Sequence, residues 1–344
     1  MESKRLGKQS VALPSAPSIT AAACVVGPKE GQGPLRRHFD RISDDSLFGA
    51  KSWEAAESAM LQDCCRIACE KASADPNELG YILSGDLLNQ CVGSSYALRD
   101  YDAPLLGLYG ACSTMGEALG LAAMLIDGGF CQSAMAAASS HFCSAERQFR
   151  TPLQYGSQRS PTAQWTVTGA GAVIVRADGS GPYITHVTTG HIYDAGVTDM
   201  TNMGAAMAPA AYSTLTAHFE DTGRGPDYYD AIVTGDLGVI GSDILRELFG
   251  RDGIELGTRY MDCGRLIYAI DAQDAHAGGS GCGCSASVFC GHLLNGMREG
   301  LWKRLLFAPT GALMSPTVSQ QGETIPGICH AVALETQRGD GICG

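Results

Sequence analysis

Two stretches of this chain share one pattern: ELGYILSGDLLNQ at residues 78–90 and YYDAIVTGDLGVI at residues 228–240. Each contains a short apolar segment, then Ser or Thr, then Gly-Asp-Leu, so Asp86 and Asp236 occupy equivalent positions. An apolar run of this length that ends in a Gly turn predicts a buried strand. The two carboxylates are therefore expected at the ends of equivalent strands.

A second pair of segments follows in the same order. Residues 110–129 begin with a Gly-Ala-Cys-Ser-Thr turn, continue into an apolar helix and lead to a strand at 133–140. Residues 281–300 begin with Gly-Cys-Gly-Cys-Ser, continue in the same way and lead to a strand at 305–311. Two motif pairs in one order predict an internal duplication, with an insertion in the second copy at about 241–278.

The duplication predicts an α/β protein with two similar halves. Amphipathic helices at Trp53–Lys71 and about 206–219 lead into the repeated strands. Helices that enter strands through short Gly turns are typical of parallel or mixed sheets covered by helices. We therefore predict an N-terminal half at 1–179 and a C-terminal half at 180–344, with a pocket where their equivalent loops converge.

The composition narrows the function classes. Hydrophobic residues make up 45% of the 344 positions, which is enough for a substantial core. The net charge of −12, without a Lys/Arg stripe, argues against binding of nucleic acid or of an anionic membrane. We see neither a signal-peptide segment nor an apolar stretch of membrane-spanning length, so membrane association is expected to need a partner.

The 14 cysteines do not form a recognisable metal site. None are spaced C-x-x-C, and no Cys/His set has zinc-finger spacing. Most are expected to be small core residues in a reducing compartment. Cys112 stands apart because it opens a predicted helix, where the helix dipole lowers a thiol pKa and free N–H groups bind anions. It is interpreted as a nucleophile, an anion site or a buried structural residue.

Other polar residues are candidates for the same site. Asp86 and Asp236 are read either as bases, which need a raised pKa, or as caps of the following turn. Asn89 follows Asp86 and either orients a ligand or caps a helix. His141 ends a predicted strand and either pairs with a ligand carboxylate or is a satisfied structural residue.

Two further segments offer groups for an anionic ligand. Glu146, Arg147 and Arg150 are predicted in a polar loop, where an Arg can meet an anion bidentately or form a surface ion pair. The Gly-rich run at 278–284 lacks the Lys of a phosphate-binding P-loop. Its amides at 280–282 either form an anion-binding concavity or belong to a tight strand-to-helix turn.

Longer motifs resemble a known family. The duplicated halves and their two Gly turns resemble the thiolase and β-ketoacyl synthase superfamily, which implies α-β-α-β-α layers with mixed sheets. Over nearly the whole chain, the sequence more closely resembles the stage V sporulation protein AD family. The motifs are GPKEGQGPL (27–35), GDLLNQ (85–90), YGACSTMGE (109–117), SSHFCSAERQFR (139–150), MGAAMAPAA (203–211), TGDLGVIGS (234–242) and TGALMSPT (310–317).

The superfamily resemblance implies a nucleophile without its partners. Superfamily enzymes form or break carbon–carbon bonds next to a thioester, using a Cys with a His pair or with His and Asn. Cys112 matches the nucleophile, but Asp236 stands where the synthases place a catalytic His, and 278–284 contains neither His nor Asn. His276 lies near this turn without matching the motif. We therefore predict no enzyme activity; the alternative is an acyl-thioester transferring or condensing enzyme that uses Cys112.

The sporulation-family resemblance implies binding of dipicolinic acid, alone or as its calcium chelate, and support of its movement across the spore inner membrane in sporulation and germination. It implies membrane-protein partners and a peripheral position at the inner membrane of the forespore or spore, and the superfamily implies a homodimer. No cofactor or resident metal is expected, and a scaffold with an inert pocket stays open. The expected ligand-binding residues are Cys112, Ser113, Thr114, Asp86, Asn89, His141, Asp236, Ser280 and Cys282.

Overall fold

The computed structural model of the chain describes residues 3–149 and 159–338. The predicted helices at Trp53–Lys71 and about 206–219 are present, each slightly longer than predicted. The described α-helices are α1 (Trp53–Ala72), α2 (Val92–Leu98), α3 (Thr114–Asp127), α4 (Phe142–Phe149), α5 (Met203–Thr222), α6 (Gly238–Arg251), α7 (Cys263–Leu266), α8 (Cys282–Val288), α9 (Leu294–Arg298) and α10 (Pro316–Gln320).

The strands also fall on the predicted apolar runs, including the run at 133–140. The described strands are β1 (Arg5–Leu6), β2 (Ser10–Ala12), β3 (Ser18–Val26), β4 (Arg41–Ile42), β5 (Tyr81–Gly85), β6 (Leu105–Gly107), β7 (Ser133–Ser140), β8 (Trp165–Thr166), β9 (Gly169–Arg176), β10 (Tyr183–Thr188), β11 (Ala231–Thr234), β12 (Tyr260–Asp262), β13 (Gly279–Ser280), β14 (Arg304–Ala308), β15 (Thr310–Ala312), β16 (Gly327–Cys329) and β17 (Ala331–Glu335).

The strand order of the main sheet repeats the predicted duplication. It runs β6-β5-β7-β9-β3 and then β10-β17-β14-β11-β12. β5 is parallel to β6 and β7, as β11 is to β12 and β14, whereas β9 and β17 are antiparallel to their neighbours. The two runs meet where Ser18 pairs with Tyr183. Each run holds five strands in corresponding order, and the division into folding units at 1–179 and 180–344 stays a prediction.

Three clusters of buried apolar side chains fill the spaces between five layers of helices and strands. Along β3, Ala23 packs with α1 and α2, whereas its neighbour Cys24 packs with the central helices α3 and α8. Along β14, Leu306 packs with α5 and α6, and its neighbour Leu305 faces the central cluster. This alternation is expected of strands covered on both faces. The α-β-α-β-α layering and the mixed α/β class are thus confirmed.

The central helices approach the strands and each other closely. A Cβ built on Gly116 of α3 would lie 2.5 Å from Cγ of Pro309 in the second half, so only Gly fits there. Cys282, which opens α8, donates its thiol to the Ala111 carbonyl at 2.9 Å. Ser285 Oγ lies 3.4 Å from the Cys112 carbonyl oxygen. The equivalent helix starts of the two halves therefore contact each other directly.

Three segments of the second half differ from the predicted pattern. The strand predicted at 305–311 is divided at Pro309 into β14 and β15, which belong to different sheets. The helix predicted within 281–300 is divided into α8 and α9 by a π-helical turn at Phe289–Leu293. The backbone of His38 lies against this turn, since a Cβ on Gly291 would be 2.7 Å from its carbonyl oxygen. The insertion predicted at about 241–278 contains most of α6 together with β12 and α7. Among the described residues, none of the helices is both long and apolar enough to span a bilayer.

Candidate ligand cavity

Cys112 lies where the two halves meet. A 3-10 turn at Ala111–Ser113 leads into α3, and Ala111 adopts a left-handed backbone with a φ of 48°. Cys112 is 8% exposed, and its Sγ lies 3.9 Å from Oγ of Ser280 in the Gly-rich turn of the second half. The sequence predicted that equivalent loops of the two halves converge, and they converge at the side chains of Cys112 and Ser280.

Asp236 lies beneath this pair and is fully buried. Its Oδ2 accepts hydrogen bonds from Ser280 Oγ at 2.9 Å and from the Gly281 amide at 3.1 Å. Its Oδ1 accepts one from Thr310 Oγ1 at 3.0 Å. Burial raises the pKa of Asp236 to about 6, and the hydrogen bonds from Cys112, Gly281, Ser280 and Thr310 oppose that rise. The carboxyl group therefore links the Gly-rich turn to β15.

The prediction that the helix start lowers the pKa of the Cys112 thiol is wrong. Burial raises that pKa well above its usual value, and the adjacent charge of Asp236 raises it further. A thiolate here would lose its solvating water and meet a carboxylate, and the two effects outweigh the α3 dipole. The thiol at this position is therefore neutral.

A cavity of about 340 Å³ opens above Cys112 and Ser280. Its volume is at the lower end of the range for small-molecule sites, roughly 300–1,000 Å³. The larger apolar side chains in its wall are Leu87, Phe149, Met200, Met203, Met207 and Met314. The polar and charged ones are Tyr109, Glu146, Gln164, Thr166, Thr201 and Ser280.

Of the nine residues predicted to bind ligand, only Cys112 and Ser280 line this cavity. Three others keep their side chains within the turns that form its floor. Ser113 Oγ donates to the Gly110 carbonyl and Thr114 Oγ1 to the Ala111 carbonyl, each at 2.6 Å. Cys282 is buried and donates to the same Ala111 carbonyl. These side chains shape the turn at Cys112 instead of reaching the cavity.

Three of the backbone amides expected to hold an anion are also engaged. The Ser113 amide donates to the Gly110 carbonyl at 3.0 Å, and the Thr114 amide donates to the Ala111 carbonyl. The Gly281 amide donates to Asp236. The Gly-rich turn therefore uses this amide to hold a carboxylate of its own chain.

Asp86 has the structural role that was one of its two readings. Its Oδ1 accepts a hydrogen bond from the Leu88 amide at 2.8 Å, and its Oδ2 accepts two from the amide and hydroxyl of Ser94 at 2.7 Å each. Asp86 is fully buried and lies outside the cavity wall. Asn89 is exposed, and its backbone amide donates to Gln148 Oε1 at 2.9 Å.

His141 also lies outside the wall of the cavity. Its Nε2 is 2.8 Å from the Ser46 carbonyl oxygen, and its Nδ1 accepts from the Cys143 amide at 3.1 Å. Burial lowers the pKa of His141. His276 bonds to the Ser160 carbonyl and to Asp274, at 2.8 and 3.0 Å, and is likewise absent from the wall.

The polar loop predicted after His141 is instead helix α4, because its apolar and polar side chains fall on opposite faces. Glu146 on this helix lines the cavity. Arg147 points elsewhere and forms an ion pair with Glu54. Arg150 lies outside the described residues.

Sequence reasoning missed most of the cavity wall. Met203 and Met207 are four residues apart on α5, a spacing that places both on one helix face, and this spacing was the available signal. Gln164 gave none. Its Nε2 donates to the carbonyls of Asp236 and Gly279, at 2.6 and 2.8 Å, and its buried Oε1 has no hydrogen-bond partner among the described residues.

The motif at 27–35 contributes Glu30, whose hydrogen bonds hold together two segments next to the cavity. β8 pairs with β13 so that Thr166 lies opposite Ser280, and both face the cavity. Glu30, which is 1% exposed, accepts hydrogen bonds from the Thr168 amide at 3.1 Å and from the Tyr268 hydroxyl. It therefore ties the strand that follows β8 to the loop that precedes the Gly-rich turn. No group of three or more potential metal ligands exists within residues 3–149 and 159–338.

Solved structures with the same fold include a 3-oxoacyl-[acyl-carrier-protein] synthase III and OleA. The chain is similar to 3-oxoacyl-[acyl-carrier-protein] synthase III from Aquifex aeolicus VF5, with a TM-score of 0.56 and 14% identity, covering 93% of this chain and 99% of that one. It is also similar to cerulenin-bound OleA from Xanthomonas campestris, with a TM-score of 0.61 and 13% identity, covering 94% and 99%. These likenesses establish a thiolase-like fold.

Sequence comparisons reach further. The family model described as Stage V sporulation protein AD matches residues 7–335. Stage V sporulation protein AD from Bacillus subtilis (strain 168) is 45% identical over 336 residues, covering 98% of this chain and 99% of the relative. The recognised resemblance is confirmed, and this chain belongs to the Stage V sporulation protein AD family.

Proposed function

We propose that this protein is a non-catalytic subunit that binds dipicolinic acid, alone or as its calcium chelate. In this role it supports movement of the acid across the spore inner membrane during sporulation and germination. The observation that carries the proposal is the cavity above Cys112, where burial and Asp236 hold the thiol neutral. A site that keeps the superfamily's nucleophilic cysteine in its unreactive, protonated form can bind a ligand in the cavity but is poorly suited to catalysis.

The cavity suits a small, flat and rigid ligand. Dipicolinic acid loses little conformational freedom on binding, which favours affinity from a modest number of contacts. Met203, Met207 and Met314 offer sulfur atoms to the face or edge of a pyridine ring. Tyr109 and Thr201 offer hydroxyl groups to carboxylates at the wall.

The charge of the wall favours the calcium chelate over the free dianion. Glu146 is the charged side chain in the described wall, and a carboxylate repels a dianion but is a preferred ligand of Ca²⁺. The buried carboxylates of Asp86 and Asp236 do not line the cavity. We therefore assign the calcium-facing role to Glu146, which lines the cavity.

Calorimetry tests this assignment directly. The titrants are dipicolinate, dipicolinate with equimolar calcium, and isophthalate, which has the same shape but lacks the chelating ring nitrogen. We expect the chelate to bind most tightly, and Glu146→Gln to weaken the chelate selectively. Glu247→Gln, an exposed carboxylate on α6, is the matched control. Absence of heat with dipicolinate and its chelate up to millimolar ligand would overturn the proposal.

The acyl-transfer alternative has one supporting observation, the position of Cys112 at the start of α3. An enzyme of this kind would form a thioester on Cys112 when mixed with acyl-thioester substrates. We expect intact-mass spectrometry to find no adduct, and we expect Cys112→Ala to weaken dipicolinate binding only about fivefold, the size of one ordinary hydrogen bond. A Cys112 adduct that grows with time would favour the enzyme.

The proposed homodimer has a candidate surface at β6. This strand ends the main sheet, and Leu105 and Leu106 on it are 42% and 40% exposed. An edge strand with exposed leucines is a template for pairing with another strand, here a second copy of itself. Light scattering should give a dimer mass, and Leu106→Lys should give a monomer.

Membrane-protein partners and a peripheral position at the inner membrane of the forespore or spore complete the proposal. Family membership supports a role in the spore. Fractionation of spores is the test: the chain should sediment with inner membranes from the wild type and should lose part of that association when the membrane subunits are deleted.

A further inference from the structure

An exposed apolar side chain stands among cations at the turn between α9 and β14. Leu301 is 63% exposed, and the indole of Trp302 beside it packs over Gly296 of α9. Arg298 and Lys303, on either side of the turn, are both exposed. The arrangement places a leucine and a half-buried tryptophan at the same level as two cationic groups.

A second segment, distant in sequence, extends this surface. The His292 ring contacts the Trp302 ring, with centroids 5.5 Å apart, and the His38 ring, with centroids 4.7 Å apart. Arg36 and Arg37 immediately precede His38 and are exposed. Ring contacts thus place the two segments side by side, and we name their exposed groups together with Trp302 the Leu301 patch. It comprises Arg36, Arg37, Arg298, Leu301, Trp302 and Lys303.

The charge of the Leu301 patch is opposite to that of the whole chain. Its four cationic side chains form no ion pair with another described residue, whereas Asp40 and Asp230 nearby are paired with Lys71 and Arg304. Glu299 is the exposed carboxylate within the same turn. In a chain of net charge −12, four unneutralised cations around an exposed leucine form a local field that attracts anions.

We infer that the Leu301 patch binds directly to the surface of an anionic lipid bilayer. Cations near such a surface each contribute about fivefold to binding, while an amphipathic tryptophan settles at the headgroup level and a leucine enters the acyl boundary. The Leu301 patch contains all three kinds of group on one surface. This lipid contact is independent of the ligand cavity and adds to attachment through membrane partners. It differs from the expectation that an anionic membrane does not attract the chain, because that expectation was drawn from the net charge of the whole chain and not from a local surface.

Vesicle co-sedimentation of the full chain tests the inference. The probes are vesicles of phosphatidylcholine containing phosphatidylglycerol and vesicles of phosphatidylcholine alone. We expect binding to the anionic vesicles, a blue shift of tryptophan emission that is lost in Trp302→Phe, and release at about 0.5 M salt, where charges are strongly screened. Arg36→Ala/Arg37→Ala should weaken binding about 25-fold, and Leu301→Ser about tenfold.

The matched charge variant lies at the far end of α1, about 30 Å from the end near Asp40. Lys51→Ala/Arg99→Ala removes two exposed cations there, and Phe130→Ser removes a side chain that is 72% exposed in the turn after α3. We expect both to bind anionic vesicles like the wild type. Equal binding to both vesicle types, equal loss in patch and control variants, or no binding to anionic vesicles would each overturn the inference. Calorimetry with dipicolinate is unaffected by any of these outcomes, so the two proposals fail separately.

Discussion

Replacing Asp236 by Asn tests the electrostatics of the cavity floor. Asn preserves the shape of the side chain, and its oxygen can accept from Ser280 and Gly281 while its amide faces Thr310 Oγ1, a hydroxyl that also accepts. The variant therefore removes the charge and retains the hydrogen-bond network. Any change in how stability depends on pH then reports the titration of this carboxyl group.

The magnitude follows from the pKa. Burial raises the pKa of Asp236 from 3.8 to about 6, so the folded state holds a proton more tightly than the unfolded chain does. The associated stability is fully present below pH 3.8 and is lost as the pH rises through about 6. At 1.36 kcal/mol for each pKa unit, the free energy of unfolding of the wild type falls by about 3 kcal/mol across this window because of this one group.

Urea unfolding followed by tryptophan fluorescence gives the required free energies. Between about pH 3 and pH 8, we expect the stability of Asp236→Asn relative to the wild type to rise by about 3 kcal/mol. Asp236→Ala serves as comparison, because it also orphans the Gly281 amide and should be less stable than Asp236→Asn at every pH. A difference between Asp236→Asn and the wild type that does not change with pH would refute the reasoning.

Three further predictions concern the Cys112 thiol, the turn held by Asp86 and the packing of the two halves. Cys112 should react with iodoacetamide at neutral pH more slowly than the partly exposed Cys143, as measured by peptide mass spectrometry, since burial and Asp236 raise the pKa of its thiol; faster labelling of Cys112 would show an activated thiol. Asp86→Ala should lower the free energy of unfolding by about 3 kcal/mol in urea, because it leaves the buried Ser94 amide without its acceptor; a loss below about 1 kcal/mol would contradict that role. Gly116→Val should lower the thermal midpoint or prevent folding, because its Cβ would lie 2.5 Å from Pro309, whereas Gly250→Ala, at a position with open space, should fold normally.

The sequence was sufficient to predict two similar α/β halves because the duplication is a local signal repeated twice, whereas the layers were implied by the superfamily resemblance. The strands that end at Asp86 and Asp236 and the helix starts at Cys112 and Cys282 each carry their own pattern of apolar and Gly residues. Equivalent motifs in equivalent order then imply equivalent places in the two halves. The convergence of the turns that carry Cys112 and Ser280 was predicted from that symmetry, and the structure places the two side chains 3.9 Å apart.

The wall of the cavity was not predictable in the same way. Spacing places Ser113 and Thr114 next to Cys112, but it does not show that their hydroxyls close the 3-10 turn on themselves. The wall instead includes Gln164 and Met314, residues that tertiary contacts bring together from separate loops. Which polar groups remain available to a ligand depends on which are already satisfied by the chain, and that accounting requires coordinates.

Asp86 and Asp236 show how equivalent positions diverge. Both follow a buried strand, both are fully buried, and the pKa of each is raised by burial. Asp86 is satisfied by Leu88 and Ser94 within its own half, close in sequence. Asp236 is satisfied by the Gly-rich turn and by Thr310, which hold it beneath Cys112. The shared motif therefore determines where each carboxyl group lies in its half, while the surrounding hydrogen-bond donors determine what each carboxyl group does.

The position of Asp236 also bears on whether it can replace the histidine of the superfamily enzymes. To activate Cys112, a base must take the thiol proton, yet the pKa of Asp236 is about 6 and that of the thiol is well above its usual 9.0. The carboxylate is thus a weaker base than the thiolate by well over a factor of about 1,000. Transfer would also place two negative charges side by side in a buried site, which opposes it further. Asp236 therefore fastens the Gly-rich turn and keeps Cys112 protonated, an arrangement that suits retention of a ligand and not attack on one.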